Sequence, residues 1–392
     1  MTATASTQGF EVLSTHDLGG FGDGMQVLRH GDLAYVGHHG VSRMGTSILD
    51  VSDVRSPKLI RQIPAPERTH THKVQIADGL LLVNHEAFPP GVDPDGPVSS
   101  GLAVYSLDDP SDPVQIGFWD VGGRGVHRIV YTGGRYAYLS ATPEGFNDRM
   151  WMVVDLADPT SPREVGRWWW PGQHVAAGED ETWPAGSRYA AHHALVRGDL
   201  AFLGYDDANL VVLDISRPEE PQKIGGLIWG GGSTHTCLPL GDREVVAVTD
   251  EQVKDGPEAP ERTIRLVDVS DPRSPAILSK VQPPDPSWAV PGARFGAHNL
   301  HENRPGSYVS DSLIFATYFS AGLRVYDVED ATNPREVAHW VGTPAPGKPA
   351  VAANDLYVGS DGLVFVTDRV GAGLAILAPT PELRALMERR AA

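Results

Sequence analysis

The sequence predicts an all-β protein, a seven-bladed β-propeller whose ring is closed by an N-terminal outer strand, and three observations carry that prediction. A turn phrase rich in Asp, Ser and Pro recurs six times, over residues 49–57, 105–113, 155–162, 214–221, 268–275 and 327–334. Short apolar strands flank each copy, so every unit holds about four strands of about five residues, a usual strand length. A histidine stands at one register ahead of five consecutive units, at His72, His127, His192, His235 and His298. The closing prolines of the turn phrase fall at 57, 113, 162, 221, 275 and 334, which spaces the units by 49 to 59 residues. Four-stranded units repeating on that scale are the signature of propeller blades.

Taken in order, the blades are expected near 20–63, 70–120, 125–170, 190–230, 233–283, 296–344 and 352–379, all in one domain spanning 1–392. Within each, Asp and Ser offer side-chain bonds to the turn backbone and Pro presets φ, which suits a tight strand connection. The seventh copy stops at Pro379 without an outer strand, and residues 10–18 resemble the outer strands of the other blades. They are expected to close the ring, which removes free sheet edges. The tail 380–392 reads as a short helix.

Composition agrees. The chain is 41% hydrophobic, enough for a sizeable core, and carries 43 glycines and 32 prolines, which suit strands and turns over helices. A net charge of −18 argues against nucleic acid and anionic membranes as partners. There is no apolar run of membrane-spanning length and no apolar signal core in 1–9, and a single cysteine, Cys237, excludes an intrachain disulfide. The expectation is a soluble cytoplasmic protein whose partner is a small-molecule substrate.

The strands ahead of the turn phrase, such as Leu266-Val267-Asp268-Val269-Ser270-Asp271-Pro272 and Leu210-Val211-Val212-Leu213-Asp214-Ile215, resemble the repeat of LVIVD-repeat proteins. That resemblance spans nearly the whole chain and implies a propeller. It implies little chemistry, because a fold hosts many functions.

Function is expected on the histidine face. The loops at 84–100, 171–187, 250–262 and 282–296 are long and irregular there, whereas the Asp–Pro turns opposite are nearly uniform. The inner-strand register reads Met25, His72, His127, His192, His235, His298 and Asn354. One such histidine is most often a satisfied structural residue. Five at one height around a narrow axis point instead to a metal site, since imidazole is the commonest neutral ligand. His72, His127, His192 and His298 form the primary set, with His235 beside them. Nitrogen donors favour iron first, then zinc, manganese or copper, over magnesium or calcium.

Carboxylates at the second-strand ends, Glu86, Asp206, Asp207, Asp250, Glu251 and Asp368, are candidates to orient those imidazoles. Of these Glu86, Asp207 and Glu251, with His70 and His301, are the expected acid–base residues. The alternation Thr69-His70-Thr71-His72 places both histidines on one side of a strand. Trp170, Tyr318, Arg369 and Asn354 are the expected substrate contacts, and Cys237 reads as a buried structural thiol. The leading expectation is a mononuclear non-haem iron oxygenase or other oxidoreductase, similar in arrangement alone to the histidine-ligated propellers of carotenoid-cleavage oxygenases. The alternatives are a metal-assisted lyase or hydrolase, and a non-enzymatic scaffold.

Overall fold

The computed structural model describes residues 5–40, 43–88, 98–253 and 262–392. Residues 89–97 and 254–261, inside two of the long loops expected to carry function, lie outside the described residues, as do 1–4 and 41–42. The protein is all-β with antiparallel sheets, plus one α-helix over Pro381–Arg390. Among the described residues no helix is long and apolar enough to cross a membrane.

The chain falls into two compact units, one of Met1–Val36, Leu49–Leu59 and His235–Ala392, the other of Gly37–Ile48 and Ile60–Thr234. In the first unit, strands Thr234–Pro239, Val245–Asp250, Ile264–Asp268 and Ala276–Lys280 pair in sequence order, Thr234 alone falling outside the unit. Two further sheets there each gain an N-terminal strand. Ser6–Gln8 pairs with Arg335–Val341, and Phe10–His16 pairs with Gly373–Pro379 from Phe10↔Pro379 to His16↔Leu374. Residues 10–16 thus supply the fourth strand that the last repeat lacks. Phe10 is buried with Leu383 and Met387 of the C-terminal helix in a cluster that includes Phe315, Leu323, Val364 and Leu377.

In the second unit, strands Ala194–Arg197, Leu200–Gly204, Leu210–Asp214 and Gln222–Leu227 form one four-stranded sheet. The two repeats before it are fused into a single nine-stranded sheet, because Gly125 pairs with Glu86 across the repeat boundary. Only glycine fits there: φ is +93°, and a Cβ would lie 2.2 Å from the His85 carbonyl oxygen. The strands Gly24–His30, Leu33–His38, Met44–Asp50 and Lys58–Pro64 make a further four-stranded sheet.

The turn phrase behaves as its chemistry dictates. The Asp opening each turn accepts from a backbone N–H two residues on, as in Ser52 N to Asp50 Oδ1 (2.9 Å), Thr160 N to Asp158 Oδ1 (3.0 Å) and Thr332 N to Asp330 Oδ1 (2.9 Å). The tryptophan run 168–170 packs as core: Trp168 and Trp170 lie against the cluster holding Trp151, Leu203 and Tyr205, and Trp169 against the preceding one.

A candidate metal centre built on bulged histidines

Four of the register residues, His127, His192, His298 and Asn354, occupy β-bulges. Val126 pairs with Ala141 and Arg128 with Ser140, so His127 is the extra residue; Asn354 is skipped in the same way between Ala353↔Asp368 and Asp355↔Thr367. His192 N donates to Gly204 O while Gly204 N donates to His193 O, setting two residues against one, and His298 and Asn299 face Thr317 by the same pattern. A bulge re-aims the side chain of the extra residue. The shared register in the sequence is therefore a shared backbone defect.

A second device fixes these bulges. The polar residue that ends the apolar run of the second strand reaches across to the register backbone of another repeat. Ser140 Oγ donates to His192 O (2.8 Å), Thr249 Oγ1 to His298 O (2.7 Å), Thr317 Oγ1 to Asn354 O (3.0 Å) and Thr367 Oγ1 to Met25 O (2.9 Å). Asn84 Nδ2 donates to Val126 O (2.8 Å), one residue before His127. The same side chains accept from their own inner strand, as Asn84 Oδ1 does from Lys73 N (2.7 Å) and Thr317 Oγ1 from Asn299 N (3.1 Å). Sequence reasoning missed these residues. Their signal is a single Ser, Thr or Asn closing the apolar run, as in Leu-Leu-Leu-Val-Asn84, Val-Ala-Val-Thr249 and Val-Phe-Val-Thr367.

In the second unit, His70, His72, His127, His192 and Glu86 come together. Glu86 Oε2 accepts from both His70 Nε2 and His127 Nδ1, each at 2.8 Å. The fused sheet makes this possible, since it sets Gly125 against Glu86 two residues before His127. Burial alone would raise the Glu86 carboxyl, but electrostatic attraction to His127, with the hydrogen bonds from His127 and His70, outweighs it and holds the group well below the usual carboxylate range. His127 is pushed down to about 3 by burial, against the pull of Glu86, and is neutral at pH 7. Its proton sits on Nδ1, facing Glu86, so Nε2 is an unprotonated lone pair. That lone pair lies 3.1 Å from His192 Nε2.

His72 is held differently. Backbone partners on both sides fix the Asn84 amide, whose Nδ2 lies 3.3 Å from His72 Nδ1. The His72 proton is then on Nε2, which makes this nitrogen a donor. Burial keeps the ring neutral, well below the usual histidine range. His70 stacks on His72 with ring centres 4.3 Å apart, and His70 Nδ1 is buried without a hydrogen-bond partner among the described residues. His70, His72 and Glu86 each present a ligand atom within 4.8 Å of the others.

The first unit holds a second histidine group of other character. The His235 and His298 rings lie 4.3 Å apart, and His298 Nδ1 donates to Asn354 O at 2.6 Å. His298 Nε2 stands 3.6 Å from Glu251 Oε1, and Arg294 Nη1 reaches the same oxygen at 3.0 Å. Phe319 stacks under His298 and carries the Arg294 guanidinium above its ring. Arg294, absent from the sequence-based candidates, neutralises the carboxylate here.

The remaining candidates divide. Asn354 is fully buried, and its carbonyl positions His298 while Nδ2 donates to Met25 O and Oδ1 accepts from Arg369 at 3.4 Å. His301 joins neither group: Nε2 donates to Tyr308 O and Nδ1 accepts from Val358 N, so both ring nitrogens serve the backbone. Asp207 accepts from the Arg188 backbone, whereas Asp206, its neighbour, meets Arg149 and Arg188. Tyr318 is fully buried with its hydroxyl on Thr263, and Trp170 is bound into the aromatic packing under Lys223. Cys237 is fully buried.

Comparison with known proteins agrees at the level of fold and repeat. The LVIVD repeat model matches residues 129–168 and 190–225. No curated protein matches the chain in sequence. Among solved structures, the periplasmic gluconolactonase PpgL of Pseudomonas aeruginosa is similar with a TM-score of 0.61 at 15% identity, over 89% of this chain and 99% of that one. The computationally designed protein Ika8 gives a TM-score of 0.52 at 9% identity, over 93% and 98%. At these identities the likeness concerns the fold alone. The chain thus carries the LVIVD repeat on an all-β fold with propeller-like neighbours.

Proposed function

We propose that this chain is a metal-dependent enzyme acting on a small organic substrate, with a mononuclear divalent transition ion of which His127 and His192 are two ligands. The observation that carries the reading is the 3.1 Å separation of their Nε2 atoms, with His127 Nε2 left unprotonated by its Nδ1 bond to Glu86. Two nitrogens so spaced subtend about 95° at an ion with bonds near 2.1 Å, within reach of ordinary coordination geometries. A carboxylate behind a ligand imidazole fixes its tautomer and raises its basicity, and Glu86 occupies that place. Neutral nitrogen donors favour iron, zinc or copper. Bound, such an ion supplies Lewis-acid chemistry and, if it is iron, redox chemistry.

Oxidoreductase chemistry at non-haem iron is the first reading, with positions left for oxygen and substrate. Metal-assisted hydrolysis or lysis is the second. One chemical argument favours it: histidine ligands add no negative charge, so an ion here would keep most of its own charge and acidify bound water. The seven repeats support a single closed ring of seven blades, with Phe10–His16 completing the last one.

Elemental analysis of the purified protein, with turnover followed in the presence and absence of oxygen, tests the proposal. Stoichiometric iron with oxygen consumption supports the first reading, and zinc or manganese with oxygen-independent turnover supports the second. Absence of a bound or bindable transition metal refutes both and leaves a scaffold.

A further inference from the structure

Away from the histidine groups, the first unit holds a cavity of ≈ 390 Å³ walled by Leu323–Asp327, Arg335–Val341 and the segment 281–288. That size falls within the range of small-molecule sites. Arg324 and Tyr326 alternate on one strand, so both side chains leave the same face, and both line the cavity. Arg324 is 3% exposed and Tyr326 1% exposed. The guanidinium donates from Nε to Ala321 O and from Nη1 to Glu336 Oε1, and lies 5.8 Å from the Trp288 ring centre. Its Nη2 makes no hydrogen bond among the described residues, whereas the buried Tyr326 hydroxyl interacts with the Tyr318 hydroxyl. Leaving buried donors unmatched is costly, and such groups ask for an explanation. One on a buried guanidinium at the wall of a cavity indicates a missing acceptor.

The charges around the cavity decide what kind. Arg324 is positive and His339 faces Glu336 at 3.2 Å, but the Glu336 and Asp285 carboxylates line the same space, so no net positive charge is offered to an anion. A cation carries no acceptor for the guanidinium. A hydroxyl both accepts from Arg324 or Tyr326 and donates to Glu336, while the Trp288 ring presents an apolar wall. We propose that this cavity binds a small neutral polyol, a molecule of monosaccharide size.

Isothermal titration of the full chain with D-glucose, D-xylose and myo-inositol, alongside anionic glucuronate and cationic glucosamine, tests the assignment. Saturable binding of at least one neutral polyol is expected, with glucuronate and glucosamine weaker by about tenfold. Tyr326→Phe removes one hydroxyl at the cavity wall and keeps the ring, so the protein stays folded and the affinity falls about tenfold, the worth of one hydrogen bond. Trp288→Ala weakens the same ligand. The proposal is overturned if no neutral polyol binds at millimolar concentration, if a charged analogue binds more tightly, or if both variants bind as the parent does.

Discussion

The two histidine groups start from one repeat and arrive at different chemistry. In the second unit Glu86 meets two imidazole donors and, among the described residues, no guanidinium hydrogen-bonds it, so its charge is spent on orienting His70 and His127. In the first unit Glu251 meets Arg294 at 3.0 Å and stands 3.6 Å from His298. The bulge and the hydroxyl bridge are common to both. What differs is how a loop arginine meets the carboxylate: Arg294 bonds Glu251 directly, whereas Arg188 acts on Glu86 through its charge. A repeat therefore sets where the ring side chains point, and the variable loops set what they can do there.

The largest expected effect separates the two carboxylates. Glu86→Ala leaves two buried imidazole donors without an acceptor and is expected to cost about 3 kcal/mol, whereas Glu251→Gln, beside a part-exposed arginine, costs about 1 kcal/mol. Urea unfolding of both variants checks the ratio; equal losses would erase the contrast.

Acid sharpens it next. His127 is pushed down to about 3 and His85 to about 4, and His72 and Glu86 are also lowered, all in the second unit; His301, down to about 4, is in the first. Below about pH 6.5 the unfolded chain takes up protons that the folded histidines refuse. Their contribution is complete above that pH and lost as pH falls toward about 3, with Glu86 adding to the loss below its own ordinary value. Hydrogen exchange at about pH 7.5 and about pH 4.5 is expected to show larger losses of protection around 70–130 than around 298–326. A uniform loss would count against the distribution of buried histidines described here.

The fold was legible because its signals are local. Asp, Ser and Pro act within one turn, and residues 10–18 carry the pattern of a strand that pairs with 373–379. Much of the site was legible for the same reason: Glu86 and the histidine register both follow from repeat alignment. Three things were not. A bulge leaves no composition signal, so the alternation rule says nothing of where His127 points. The tautomer of His72 depends on Asn84, twelve residues away and fixed by two backbone groups. Arg294 and His301 are decided by loop and inter-strand contacts, which made the arginine invisible and the histidine look free.

Smaller effects follow from the bridging hydroxyls. Thr317→Val leaves Asn299 N without its hydroxyl acceptor and removes a donor from Asn354 O, at a cost of about 1–2 kcal/mol, and His298, which donates to that carbonyl, is expected to broaden in imidazole NMR spectra. Ser140→Ala is the counterpart at His192. An unchanged His298 signal in Thr317→Val would show that the bridge does not position the ring. Arg294→Gln is expected to change least, raising zinc uptake by the first unit slightly as the carboxylate loses its countercharge, as equilibrium dialysis would report.

The most direct test of the account is the transition-metal content of the wild-type protein against His127→Ala, each reconstituted with iron and with zinc and analysed by mass spectrometry after gel filtration. One ion per chain in the wild type and a loss of at least about tenfold in the variant, with the fold retained, is the predicted result. Equal metal in the two proteins, or none in either, would contradict it.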